Sequence, residues 1–188
     1  MLAAAAGLFL LGYYWGNQYK EVEIPELSAA VALRPALPLP DFLAADASGH
    51  AFGPARFQDR WTLLLTAAAD QVATADRLAQ LNRVYSRLAE HSRTQEQVQM
   101  VLLSRRPGSA GSDGPLSDLR RHNPLLITAS GQGERLDVLW SSLGADGSPG
   151  SAGLYLVDPR AQVVALFTAD GHPANIAADV HALVNAYH

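Results

Sequence analysis

The sequence predicts an α/β domain, a central mixed sheet flanked by helices, behind an N-terminal helix of membrane-anchor character. Three observations predict it. Apolar runs of strand length alternate with amphipathic stretches of helical period. Two apolar runs near the C-terminus, Leu154–Val157 and Val163–Phe167, flank Asp158-Pro159-Arg160-Ala161-Gln162, which reads as a hairpin. The chain has 188 residues, 48% of them apolar and 17% charged. A domain of about 150 residues can bury roughly 70% of its unfolded surface without a metal or disulfide staple.

Composition also excludes. There is no cysteine. Disulfides, zinc-thiolate sites, iron–sulfur clusters and dithiol redox chemistry are therefore impossible. The net charge is −4, Lys20 is the single lysine and the isoelectric point is near 5.8, so no basic footprint for nucleic acid exists.

The chain reads in three parts. Residues 1–16 are the expected membrane anchor. Leu2 to Tyr14 carries no charge, and Tyr13, Tyr14, Trp15 and Tyr19 form an aromatic cluster where the run ends. The run is short against the ~17–25 residues of a span, so the helix is minimal or begins upstream. A cleaved signal peptide would need a basic start and a small-residue cleavage site, and neither is visible. A buried core helix is the remaining alternative. Residues 17–40 end in Arg34-Pro35-Ala36-Leu37-Pro38-Leu39-Pro40, where prolines fix φ and push their predecessors to extended geometry. They are expected to be a semi-rigid linker.

Residues 41–188 are the expected domain. Phe42–Phe52 reads as two short strands around Asp46-Ala47-Ser48-Gly49, and Trp61–Thr66 as a buried strand. A helix is predicted over Val72–Ser92, with Leu78, Leu81, Tyr85 and Leu88 inward and Asp76, Gln80, Arg83 and Arg87 on the opposite face. Val98–Ser104 is a strand. Residues 107–115 form a Gly/Ser loop, and Pro115–Arg121 a short helix with proline at its start. Leu125–Thr128 is a strand, and Glu134–Leu143 a helix with Leu136, Leu139, Trp140 and Leu143 inward. The hairpin follows, placing an antiparallel pair at one sheet edge. A last helix over Pro173–Tyr187 carries Ile176, Val180, Leu183, Val184 and Tyr187 on one stripe.

This order of elements is that of a thioredoxin-like domain. Leu39-Pro40-Asp41-Phe42 with Asp46-x-x-Gly49-x-x-Phe52 resembles the start of the Sco/SenC family of copper-binding cytochrome oxidase assembly proteins. So do Trp61-Thr62-Leu63-Leu64-Leu65, Leu154-Tyr155-Leu156-Val157-Asp158-Pro159 with Val164-Ala165-Leu166-Phe167, and Ile176-Ala177-Ala178-Asp179-Val180. The resemblance spans Leu39–Tyr187 and includes the anchor. It implies a domain on the periplasmic side of the inner membrane, held by a single pass. It also implies protein partners among respiratory oxidase subunits or their assembly factors.

The departure lies in the chemistry. The family carries Cys-x-x-x-Cys after the first core strand and a histidine before the closing hairpin. Counting back from Tyr85-Ser86-Arg87-Leu88 puts the two cysteine positions at Asp70 and Thr74. Counting from Ser151-Ala152 puts the histidine position at Gly150. A carboxylate and a hydroxyl do not replace two thiolates for Cu(I), and no disulfide can cycle. Copper binding and thiol exchange therefore do not carry over, and no cofactor is expected. Asp70 and Thr74 also suit a plain role as helix N-caps.

Other constellations are weaker. Of the six histidines, His181 and His188 lie two turns apart on the last helix, ~10 Å, too far to share one ion. Asp170 and His172, beside Gly171 and Pro173, are alternative hard metal ligands. There is no Gly-x-Ser-x-Gly elbow, and Gly131-x-Gly133 lacks the third glycine of a nucleotide loop. Arg105-Arg106 and Arg120-Arg121 read as a solvated loop pair and a helix C-terminus. The expectation is a non-enzymatic, membrane-anchored binding or scaffolding protein in cytochrome c oxidase assembly. The alternatives are a metal carrier using His/Asp ligands, and an enzyme with Asp70 as acid/base.

Overall fold

A computed structural model of the chain describes residues 25–67, 72–105, 125–144 and 153–187. The expected anchor, the Gly/Ser loop, the Pro115–Arg121 helix, and residues Asp70, Gly150, His122 and His188 lie outside the described residues. No helix among the described residues is long and apolar enough to cross a membrane.

Among the described residues eight strands form one sheet: β1 (Ala30–Pro38), β2 (Ala44–Asp46), β3 (Ala51–Phe52), β4 (Trp61–Ala67), β5 (Val98–Ser104), β6 (Leu126–Ser130), β7 (Gly153–Val157) and β8 (Gln162–Phe167). Their spatial order is β1-β8-β7-β4-β5-β6-β2-β3. β4, β5 and β6 run parallel, while β7 is antiparallel to both β4 and β8. The helices are α1 (Val72–Leu88), α2 (Ser92–Gln97), α3 (Glu134–Ser142) and α4 (Pro173–Ala186).

The strand period of two sorts the core into two layers. Leu63, Leu65, Met100, Leu102, Leu154 and Leu156 face α1 and α4, meeting Leu78, Leu81, Val84, Ile176, Val180 and Leu183. Leu64, Val101, Leu103, Tyr155 and Val157 face the other side. There they meet Leu136, Leu139 and Trp140 of α3 and the edge-to-face rings of Phe42, Phe52 and Phe57. Each buried leucine contributes about 1.5–3 kcal/mol. The continuous apolar run of β4 is thus explained by cover on both faces.

Four expectations need correction. Within residues 17–40, Ala30–Pro38 is a strand of the sheet rather than a spacer, paired with β8 from Ala30↔Phe167 to Pro38↔Gln162. The register shifts between Ala32 and Leu37, around Arg34-Pro35, where an edge strand tolerates proline. The closing hairpin is consequently internal, because β1 covers β8. The long helix stops at Leu88, where a 3₁₀ turn over Ala89–His91 leads into α2. Gln80 is buried rather than solvated.

The N-terminal segment is held by α4. Asp179, 4% exposed, accepts the backbone N–H groups of Ser28, Ala29 and Ala30 at 3.1, 2.7 and 2.9 Å. A buried carboxylate is stable only with such partners.

Candidate functional site

Open α/β sheets place their chemistry at the carboxyl ends of parallel strands. That end is assembled here by register: Ala67↔Ser104, Ser104↔Ser130 and Thr66↔Gly153. The first turn of α1, whose N-terminus carries the positive end of the helix dipole, lies beyond β4. The expected ligand position Thr74 falls in that turn, and Asp70 precedes the helix.

What lies beneath is closed packing. Tyr155 is 4% exposed, and its hydroxyl donates to the Leu143 carbonyl at 2.8 Å. Burial pushes its pKa up, against weaker opposing effects from Thr66 and Arg77. Its ring lies over the backbone of Gly153 so closely that a Cβ there would overlap it. Gly153 is therefore required at the start of β7. Thr66 and Ser104 are buried as well. Tyr155 is committed to a carbonyl, and no acid–base or nucleophile–base pair is assembled from the described residues at this sheet end.

The neighbouring loops are tied down. Arg105 pairs with Asp137 of α3, so it is not simply solvated. Arg135 pairs with Asp41 at 3.0 Å. Gly131 is needed for close packing, since a Cβ would sit 3.1 Å from Leu43 O and Ala44 Cα. That explains half of the Gly131-x-Gly133 pattern without a nucleotide.

β8 runs parallel to β4, so the turn from β8 to α4 reaches the same sheet end. A cleft of about 300 Å³ opens there, lined by Asp76, Arg77, Gln80, Arg83, Asp170 and His172 among others. His172 Nδ1 accepts the Ala174 N–H at 3.3 Å, as the N-cap of α4. Gln80 donates to the Gly171 carbonyl at 2.7 Å, and Arg77 donates to Gln80 and to the Thr168 carbonyl. Burial lowers the Arg77 pKa, with Asp170 opposing. Asp170 and His172 thus share a cleft, but in company with two guanidinium groups that oppose a bound cation. Among the described residues no group of three His, Asp or Glu could hold a metal ion.

Sequence reasoning missed two constellations. Gln80 carries the helix–turn tie, and only its tertiary partners reveal it. His91 and His181 stack with ring centroids 3.8 Å apart and an interplanar angle of 7°. Their separation of 90 positions leaves no local signal.

The chain matches no known family profile and no curated protein. Solved structures do match. Sco1 from Thermus thermophilus, in its apo form, is 22% identical with TM-score 0.64, covering 82% of this chain and 95% of that one. Yeast Sco1 with copper bound is 16% identical with TM-score 0.64, covering 82% and 91%. The thioredoxin domain of a thiol-disulfide oxidoreductase from Bacteroides vulgatus is 15% identical with TM-score 0.53, covering 85% and 100%. The chain therefore has a thioredoxin-like fold, with Sco proteins among its structural neighbours. Against the copper of such neighbours, the donor set here does not fit: a chain with no cysteine offers no thiolate to a soft Cu(I) ion.

Proposed function

We propose that this chain is a non-redox binding or scaffolding protein of Sco-like form that acts in cytochrome c oxidase assembly. One observation carries the reading. A thioredoxin-like frame with Sco proteins among its neighbours is built from a sequence without cysteine. The frame has been kept while the chemistry that thiolates supply is gone. What remains to such a protein is recognition of other proteins.

Residues 1–16 would hold the domain at the inner membrane, with the domain on the periplasmic side and a tether within residues 17–26. The Asp179 clamp on Ser28–Ala30 and the packing of Leu27 on the core support a short tether, because the folded domain includes this segment and does not start at Asp41. Asp70, Thr74 and Gly150 stand, in this reading, at the vacated ligand positions. The rival reading, a metal carrier through Asp170 and His172, has against it the capping bond of His172 and the cationic company of Arg77 and Arg83.

The test is cross-linking of the full chain in its native membranes, with identification of the captured proteins. Oxidase subunits or their assembly factors are expected. Their consistent absence from the captured set would remove the pathway from this reading.

A further inference from the structure

The stacked pair of His91 and His181 lies far from the sheet end described above. His91 closes the 3₁₀ turn after α1, and His181 sits in the third turn of α4. Between them they join the corner over residues 89–97 to the last helix. His181 Nδ1 lies 2.7 Å from Oγ1 of Thr94, which is 2% exposed, and Nε2 lies 3.1 Å from Nδ2 of Asn185. Asn185 Nδ2 also lies 3.4 Å from Nδ1, and these distances fit a neutral ring that accepts the Asn185 amide at Nε2 and shares a hydrogen bond with Thr94 at Nδ1.

We propose that the His91–His181 stack is a pH-sensitive latch, which holds the 89–97 corner against α4 at neutral pH and releases it as the pH falls. A proton added at Nε2 meets an amide donor in place of its hydrogen bond. The His91 ring stacks face to face on the His181 ring at 3.8 Å and offers that proton no acceptor. Among the described residues no carboxylate pairs with either ring except through a distant charge. Glu90 is taken by Arg87 at 3.2 Å, and Asp179 of α4 is occupied with Ser28–Ala30. Arg93 on α2 could only add repulsion. Glu96 of α2 and Tyr85 of α1 are the other ionisable groups at this corner, and the Tyr85 carbonyl accepts from Gln95 at 3.1 Å. Burial, with the neighbouring His91 second, lowers the His181 pKa, in the direction that the geometry requires.

The test is NMR titration of the histidine ring nitrogens in the full chain, with amide hydrogen exchange over residues 92–97, in the wild type, His91→Phe and His181→Phe. His181 is expected to titrate below the ordinary value of about 6.5, and to rise toward it in H91F, where the stack keeps a ring but loses the charge. Opening of residues 92–97 is expected to increase at least threefold from pH 7.5 to 5.5 in the wild type, and to lose that dependence in H181F. Titration of wild-type His181 in the ordinary range, or opening that ignores pH in the wild type, overturns the latch. Should H181F fail to fold, the wild-type and H91F titrations decide.

Discussion

The carboxylate of Asp179 accepts the backbone N–H of Ala29 at 2.7 Å, across 150 positions of chain. Ser28 and Ala30 donate to the same group. This clamp, with the β1–β8 ladder, makes the segment before Pro40 part of the domain. Hydrogen bonds to a charged group contribute about 1.5–3 kcal/mol each and are not additive, so Asp179→Ala should cost ~2–4 kcal/mol. Denaturant unfolding measures the loss. Limited proteolysis should then cut before Ala30 faster than in the wild type, whereas unchanged stability would show that β1 pairing alone holds the segment.

Gly153→Ala forces a Cβ into the Tyr155 ring at the centre of the sheet. Overpacking of this kind costs about 1–3 kcal/mol. Tyr155→Phe, which removes the bond to Leu143 O, should cost ~1 kcal/mol. Thermal unfolding of both variants checks the order, with the glycine change the larger.

Tyr155 also predicts an alkaline limit. Its folded pKa is raised, chiefly by burial, so the native state keeps the phenol protonated where the unfolded state has begun to lose it. The stability it contributes is full below about pH 10 and is lost as the pH rises from there through the folded value. Spectrophotometric titration should show this tyrosine ionising late, and Tyr155→Phe should flatten the alkaline fall in stability. His181 gives the opposite limit. Its folded pKa is lowered, so stability is full above about pH 6.5 and is lost as the pH falls from there to the folded value.

Much of this fold is legible in the sequence, for physical reasons. Val98–Ser104 is legible because a largely apolar stretch between Gln97 and Arg105 has one solution in a covered sheet. The inward stripes of α3 and α4 follow from helical period alone. β1 was not legible. Its prolines signal a spacer, and its strand state depends on β8 and on Asp179, far along the chain. Gln80 and His181 fail for the same reason, since polar side chains with distant partners carry no period. Of the three positions that the resemblance aligns with the family's ligands, Thr74 falls among the described residues, in the first turn of α1. The sequence shows what Asp70 and Gly150 are chemically, and that is enough to exclude thiolate chemistry.

Copper binding provides a direct chemical check. The full chain should release Cu(I) completely to a competing chelator, and Asp170→Ala with His172→Ala should change nothing in that assay. Stoichiometric Cu(I) retained by the wild type and lost in the double variant would favour the carrier reading instead.

Complementation decides whether the chain acts in oxidase assembly without thiol chemistry. Cells lacking this chain should show reduced cytochrome c oxidase activity. The wild type and the Asp70→Ala, Thr74→Ala double variant should both restore it. Oxidase activity unaffected by loss of the chain would contradict the assembly role, and failure of the double variant, while folded and membrane-bound, would contradict the claim that the vacated positions carry no chemistry.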